Sequence, residues 1–158
     1  LLKHSKNVIY IATAVNAIKD IKWKERIIMH QKRRNPSWTT IESNNDLSES
    51  IKQLDSKKPI LIDSLGGFVS SQIELSDNDW HIVESKFINS LIQFNGNVTI
   101  VAEEVGWGLV SEYEIGNTFV DRLGTITQKI EDLATDSWLV LHGRAINIKE
   151  LGIKIKDG

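Results

Sequence analysis

A chain of 158 residues, 41% hydrophobic and 25% charged, has the length and composition of a single domain with room for a real core. A formal net charge of −2 argues against a general nucleic-acid binder, and the absence of cysteine excludes disulfides and thiolate metal sites. The longest apolar runs, such as residues 8–12 and 60–62, are far too short to span a bilayer.

Residues 7–14, apolar and rich in β-branched side chains, predict a strand buried on both faces. Residues 23–34 follow as a basic helix. Pro36 stops it, because proline disfavours the helical conformation at the preceding residue, Asn35. On a 3.6-residue period Arg26, His30, Arg33 and Arg34 share one side, with Trp23 and Ile27 beside them. Two readings stand at this point. One is a solvated basic face with an incidental histidine. The other is an imidazole kept neutral by nearby guanidiniums, and so suited to attack a phosphate. Residues 38–42 read as a second, shorter strand. Asn45 or Asp46 can cap a helix reaching about Leu54, with Leu47, Ile51 and Leu54 on one face.

Residues 58–63 form the next strand, which ends in Asp63 and opens into a Gly-containing loop, Ser64-Leu65-Gly66-Gly67. A carboxylate at the carboxyl end of a buried strand stands where parallel sheets bind ligands; the same aspartate can instead cap the following segment. A helix is expected from about residue 76 to 94, with Trp80 and Phe87 in the core and Gly96 as a stop. Residues 97–102 are another buried strand, leading into Glu103 and Glu104 and then Val105-Gly106-Trp107-Gly108. Residues 114–133 are helical in pattern, with interruptions at Gly116 and Gly124. A last strand covers 137–141, and an irregular tail with one short extended piece begins at Gly143. Strands alternating with helices predict one α/β domain, residues 1–158, around a mostly parallel sheet. His4 and His81 read as surface residues, and no two histidines have metal-ligand spacing. With no nucleophile elbow either, a histidine metal site and serine-hydrolase chemistry are set aside.

The residues themselves go further. In order they are Ile11-Ala12-Thr13, Arg26-Ile27-x-x-His30, Arg34, Trp38-x-Thr40-x-Glu42, Leu61-Ile62-Asp63-Ser64-Leu65 and Glu104-Val105-Gly106-x-Gly108-x-Val110. In order and spacing this chain resembles the bifunctional adenosylcobinamide kinase/adenosylcobinamide-phosphate guanylyltransferase family, over nearly its whole length to the tail at Gly143. The resemblance implies a P-loop NTPase fold, a RecA-like three-layer α/β sandwich with a mostly parallel central sheet. It implies an enzyme of cobalamin biosynthesis that phosphorylates adenosylcobinamide, then transfers GMP from GTP onto that phosphate through a covalent GMP–histidine. His30 is the catalytic nucleophile on this reading. Ala12, Thr13, Ala14, Gln31, Lys32, Arg33, Arg34, Glu42 and Asp63 contact the guanine nucleotide. Asp63 also takes the Walker B-like place, holding Mg²⁺ directly or through water, and Glu104 is a candidate for positioning the nucleotide or the acceptor. The implied partners are GTP, ATP, adenosylcobinamide and its phosphate, in a cytoplasmic enzyme that assembles as a homotrimer. The physics agrees, since Lys32, Arg33 and Arg34 could neutralise charge on phosphoryl oxygens around an attacking imidazole.

Departures from the family pattern also carry expectations. The family opens with a Gly-rich loop ending Ser-Gly-Lys-Ser, and no such loop lies within these 158 residues. Residues 1–6 read as the end of the helix that should follow it, so the first strand and the P-loop are expected outside this chain. Glu103 stands in place of Asn, Ser111 in place of Pro, and Gly66-Gly67 and Ser71-Gln72 in place of Thr-Leu and Asn-Leu. Asn117-Thr118-Phe119-Val120-Asp121 lacks both arginines of the family's Arg-x-Phe-Arg-Asp. These changes bear on substrate handling and the kinase half more than on guanylyl transfer. They leave a second reading open, a degenerate nucleotide- or corrinoid-binding protein of the same fold.

Overall fold

The computed structural model describes residues 5–13, 29, 31, 34–43, 46–108 and 110–155. Four strands, β1 (Ile9–Ala12), β2 (Thr39–Glu42), β3 (Ile60–Asp63) and β4 (Val98–Val101), form one sheet in the order β2-β1-β3-β4. Every pairing in it is parallel. The register sets Ile41, Ile11, Ile62 and Ile100 in one row across the four strands, with Ile9, Ile60 and Val98 in line two residues earlier. Side chains alternate along a strand, so these rows share a face.

That face is covered by the apolar stripes of four helices, α1 (Leu47–Lys52), α2 (Leu65–Ser71), α3 (Asp77–Gln93) and α4 (Glu114–Leu133). Leu47 and Ile51, then Leu65, Phe68 and Val69, then Trp80 and Phe87, then Leu123 and Ile126 join Ile9, Ile11, Ile60 and Ile62 in one core cluster. The Phe68 ring lies 4.9 Å from Phe87 and 5.9 Å from Trp80, within the range where tilted aromatic pairs attract. Each fully buried side chain of this size contributes about 1.5–3 kcal/mol to burial. Helix starts follow the capping chemistry of the sequence. Asp46 accepts the Glu49 amide at 2.9 Å, and Ser76 accepts the Asp79 amide at 3.2 Å.

The architecture is the expected α/β fold, with three local differences. The stretch read as a loop after Asp63 is helix α2. Ser64 caps it by accepting the Gly67 amide at 3.3 Å, and Leu65, Phe68 and Val69 bury one stripe, which outweighs the poor helix propensity of Gly66-Gly67. Asp63 therefore is not the cap. Gly116 and Gly124 do not interrupt α4, which runs through both. The tail is more regular than expected: among the described residues β5 (Trp138–Leu141) pairs only with β6 (Arg144–Asn147), antiparallel, and α5 (Ile148–Leu151) follows. His142 and Gly143 make the connection with φ of 49° and 75°, the left-handed conformations that a tight two-residue hairpin turn requires.

Two buried charges tie the helices together. Glu84 on α3 is 1% exposed and accepts from Lys129 Nζ of α4 at 2.7 Å. Arg122 on α4 donates to the carbonyls of Gln72, Ile73 and Leu75, which form the connection between α2 and α3. Among the described residues no helix is long and apolar enough to cross a membrane.

Candidate active site at the carboxyl edge of the sheet

Because all four strands run the same way, their carboxyl ends share one edge, the side on which open α/β sheets bind ligands. The register brings Glu42, Ala12, Asp63 and Val101 to that edge in a single row. Glu42 is exposed, whereas Ala12 and Asp63 are half-buried.

Just past this row, β1 and β3 are clasped. The Thr13 amide donates to the Asp63 carbonyl at 3.2 Å. The Thr13 hydroxyl donates to the Ser64 carbonyl at 2.6 Å and accepts the Ser64 amide at 2.9 Å. Thr13 is 5% exposed, and these bonds satisfy a hydroxyl that would be costly to bury alone. Ser64 Oγ in turn donates to Glu103, whose other carboxylate oxygen accepts the Gly66 amide at 2.8 Å. A β-carbon at Gly66 would push the Glu103 carboxyl group out of this contact.

The opposite face of β1 presents Tyr10, 5% exposed, whose hydroxyl donates to Asp63 Oδ2. The Arg34 guanidinium carbon sits 3.8 Å from the centre of the Tyr10 ring, close enough for a strong cation–π contact. The Trp38 ring stacks beside Tyr10 at 6.4 Å, anchored by a 3.0 Å bond from its indole nitrogen to the Ser5 carbonyl. Burial pushes the Tyr10 hydroxyl above the ordinary phenol range; the hydrogen bond to Asp63 and that carboxylate's charge add to the shift, and Arg34 opposes it. The Tyr10 hydroxyl therefore holds its proton and serves as a hydrogen-bond donor to Asp63.

Arg34 reaches this place through local turn chemistry. Its amide donates to the Gln31 carbonyl at 3.1 Å, and the Trp38 amide closes a turn onto the Asn35 carbonyl at 3.0 Å. Asn35 Oδ1 accepts from the Ser37 amide at 3.0 Å and from its hydroxyl at 2.9 Å, as asparagine commonly does before a turn. The turn expected at Asn35-Pro36 is present and leads directly into β2.

Of the residues singled out in the sequence, the structure gathers Ala12, Thr13, Arg34, Glu42 and Asp63 at or beside one edge. Gln31 is helical and exposed. His30, Ala14, Lys32 and Arg33, with most of the basic helix, lie outside the described residues. Glu104 accepts the amide of Gly106 at 2.9 Å within its own turn, so its neighbour Glu103 is the acid joined to the clasp. Tyr10, Ser64 and Glu103 were not picked out as site residues. The available signal for Tyr10 was a phenol in an otherwise aliphatic strand, which needs a polar partner when buried.

The donor chemistry at Asp63 fits Mg²⁺. Magnesium in phosphate-handling sites takes one or two carboxylates, substrate oxygens and water rather than an all-protein cage. Among the described residues no three acidic or histidine side chains converge on one point, and Asp63 has one oxygen engaged by Tyr10 while Oδ1 accepts no hydrogen bond.

A parallel four-stranded sheet whose carboxyl edge collects a carboxylate, satisfied hydroxyls and a guanidinium is the layout of an open α/β protein with a candidate ligand site at that edge. Within that class the chain belongs to the family described as cobinamide kinase / cobinamide phosphate guanyltransferase, which residues 1–148 match. It is 27% identical to the bifunctional adenosylcobalamin biosynthesis protein CobU of Escherichia coli (strain K12) over 164 aligned positions, covering 94% of this chain and 90% of that protein. The protein of the same description from Salmonella typhimurium (strain LT2) is likewise 27% identical, over 94% of this chain and 90% of its own. This is the family to which the order of motifs pointed.

Proposed function

We propose that this chain transfers GMP from GTP to adenosylcobinamide phosphate through a GMP–His30 intermediate, and that the same site phosphorylates adenosylcobinamide, in cobalamin biosynthesis. The observation that carries this reading is the meeting of Asp63, Thr13 and Arg34 at the carboxyl edge of the sheet in a member of this family. In the first step an imidazole nitrogen of His30 attacks the α-phosphorus of GTP, an N–P bond forms, and the α–β phosphoanhydride breaks to release pyrophosphate. In the second step a phosphate oxygen of the acceptor attacks the same phosphorus, and His30 leaves as the free imidazole. Splitting the displacement into two lets one nucleophile serve a large and poorly mobile acceptor.

Arg34 supplies positive charge, and its seat on Tyr10 limits the reorganisation needed as charge builds on the phosphoryl oxygens. Mg²⁺ held at Asp63 would neutralise the triphosphate and steady the pyrophosphate leaving group. Guanylyl transfer is the better supported of the two activities. Its histidine motif is intact, whereas Asn117 and Val120 stand where the family has arginines.

A pulse–chase experiment tests the whole cycle. Full-length protein incubated with Mg²⁺ and α-labelled GTP is expected to acquire an acid-labile, base-stable label. Adding adenosylcobinamide phosphate should then move that label into a GDP-linked corrinoid. Tight GTP binding with no label on the protein and no labelled product would instead favour a binder that does not turn over.

A further inference from the structure

We infer that Tyr10 is a positioning residue of this site, acting through both ends of its side chain on the two charged groups that receive the nucleotide. The inference rests on the reading of Asp63 and Arg34 as nucleotide-handling groups. Tyr10 belongs to none of the motif positions assigned a role in the sequence.

The geometry divides the work between hydroxyl and ring. The hydroxyl donates to Asp63 Oδ2 and leaves Oδ1 without a hydrogen bond among the described residues. A carboxylate so held cannot rotate freely, and one oxygen is left for a cation or for water bound to it. The ring carries the Arg34 guanidinium over its face, with the guanidinium carbon 3.8 Å from the ring centre. The ring is itself fixed, since Trp38 stacks on it and Tyr10 is 5% exposed. Asp63 and Arg34 carry opposite charges and approach the same edge, yet no ion pair joins them among the described residues. A Tyr10 side chain placed between them accounts for this. It engages the carboxylate from one end and the cation from its face, so neither is spent neutralising the other before ligand arrives.

A merely structural tyrosine would lose stability when altered and would affect all ligands alike. A positioning tyrosine makes a sharper prediction, because its two ends can be removed separately. Tyr10→Phe keeps the ring and deletes the hydroxyl; Tyr10→Leu deletes both. The measurement is fluorescence anisotropy of a labelled GTP analogue with full-length protein, titrated with nucleotide at several Mg²⁺ concentrations, alongside the covalent GMP label and the melting temperature.

Tyr10→Phe should raise the Mg²⁺ concentration that half-maximally strengthens nucleotide binding, and that for half-maximal labelling, by about tenfold, the scale of one hydrogen bond to a charged group. Its nucleotide affinity without Mg²⁺ should stay within about twofold of wild type. Tyr10→Leu should show the same loss toward Mg²⁺ and a further drop of about fivefold or more in metal-free nucleotide affinity, as Arg34 loses its seat. Wild-type Mg²⁺ dependence in Tyr10→Phe, or variants that differ only in melting temperature, would overturn the inference. A wild-type protein that binds nucleotide without acquiring label would sink the histidine reading alone, since the binding titrations still judge Tyr10. A wild-type protein that binds no nucleotide would sink both.

Discussion

Replacing Asp63 with asparagine is expected to lower guanylyl transfer by about 100-fold or more while leaving the fold intact. The substitution preserves shape and still offers an oxygen to the Tyr10 hydroxyl, so the ring that carries Arg34 has no reason to move. The Asp63 carbonyl that accepts the Thr13 amide belongs to the backbone and is unaffected. What disappears is the formal charge, and with it one hard anionic oxygen at the end of the central strand. The loss should fall on kcat and on the Mg²⁺ requirement, with melting temperature within about 2 °C of wild type, because no buried contact is removed. Steady-state transfer rates measured across a range of Mg²⁺ concentrations check this. Activity within threefold of wild type would show that Asp63 handles neither metal nor nucleotide.

The largest effect on stability is expected at Arg122, far from the motifs yet joined to the site through α2. Its guanidinium donates to the carbonyls of Gln72 at 3.2 Å, Ile73 at 3.3 Å and Leu75 at 2.7 Å, and to Asp77 at 3.0 Å. The side chain is 7% exposed, whereas that of Asp77 is 87% exposed. The carbonyls, not the ion pair, therefore carry the interaction, since an ion pair with one partner in solvent is worth little. Arg122→Met keeps much of the length and apolar packing but takes the guanidinium donor from the Ile73 and Leu75 carbonyls, while the Gln72 carbonyl keeps the Leu75 amide. The expected cost is about 3 kcal/mol, tempered by the unsatisfied Nε that the arginine already buries. For a domain of this size that lowers the melting temperature by about 6–12 °C. Asp77→Asn should cost less than about 1 kcal/mol. Thermal and urea unfolding of the two variants separates these cases, and equal losses would show that the ion pair, not the carbonyl clamp, is what matters. Because Ser64 caps α2, loosening the far end of that helix should also disturb the contact between Ser64 and Glu103.

Much of this fold can be read from local chemistry alone. Ile60, Ile62 and their neighbours make apolar runs too short for helices and too continuous for exposed strands, which is what a parallel sheet needs. Ser76 and Asp46 announce helix starts because a short polar side chain can accept an amide that the helix leaves unpaired. The place of Asp63 at the sheet edge was legible for a similar reason, since an acid that ends an apolar run has nowhere to lie except the edge. Helix α2 was hidden because two glycines suggest a loop, although Ser64 and the spacing of Leu65, Phe68 and Val69 were both in view. The hairpin was missed because the turn pair His142-Gly143 is less familiar than Asn-Gly, even though glycine supplies the required left-handed geometry.

Contacts between distant segments were not legible at all. Tyr10 and Asp63 are 53 residues apart, and only the parallel register of β1 and β3 brings a phenol to that carboxylate. The choice of Glu103 over Glu104 was equally out of reach, because two adjacent acids look alike until the chain beyond β4 turns one of them toward Ser64.

The proposed guanylyl transfer turns on the side chain at position 30. Purified full-length protein and its His30→Ala variant, each incubated with Mg²⁺ and α-labelled GTP, should differ completely. The wild type is expected to carry an acid-labile, base-stable label and the variant none, while both bind GTP with similar affinity. Equal labelling of the two proteins, or a label that survives acid and is lost in base, would contradict a phosphoramidate on His30.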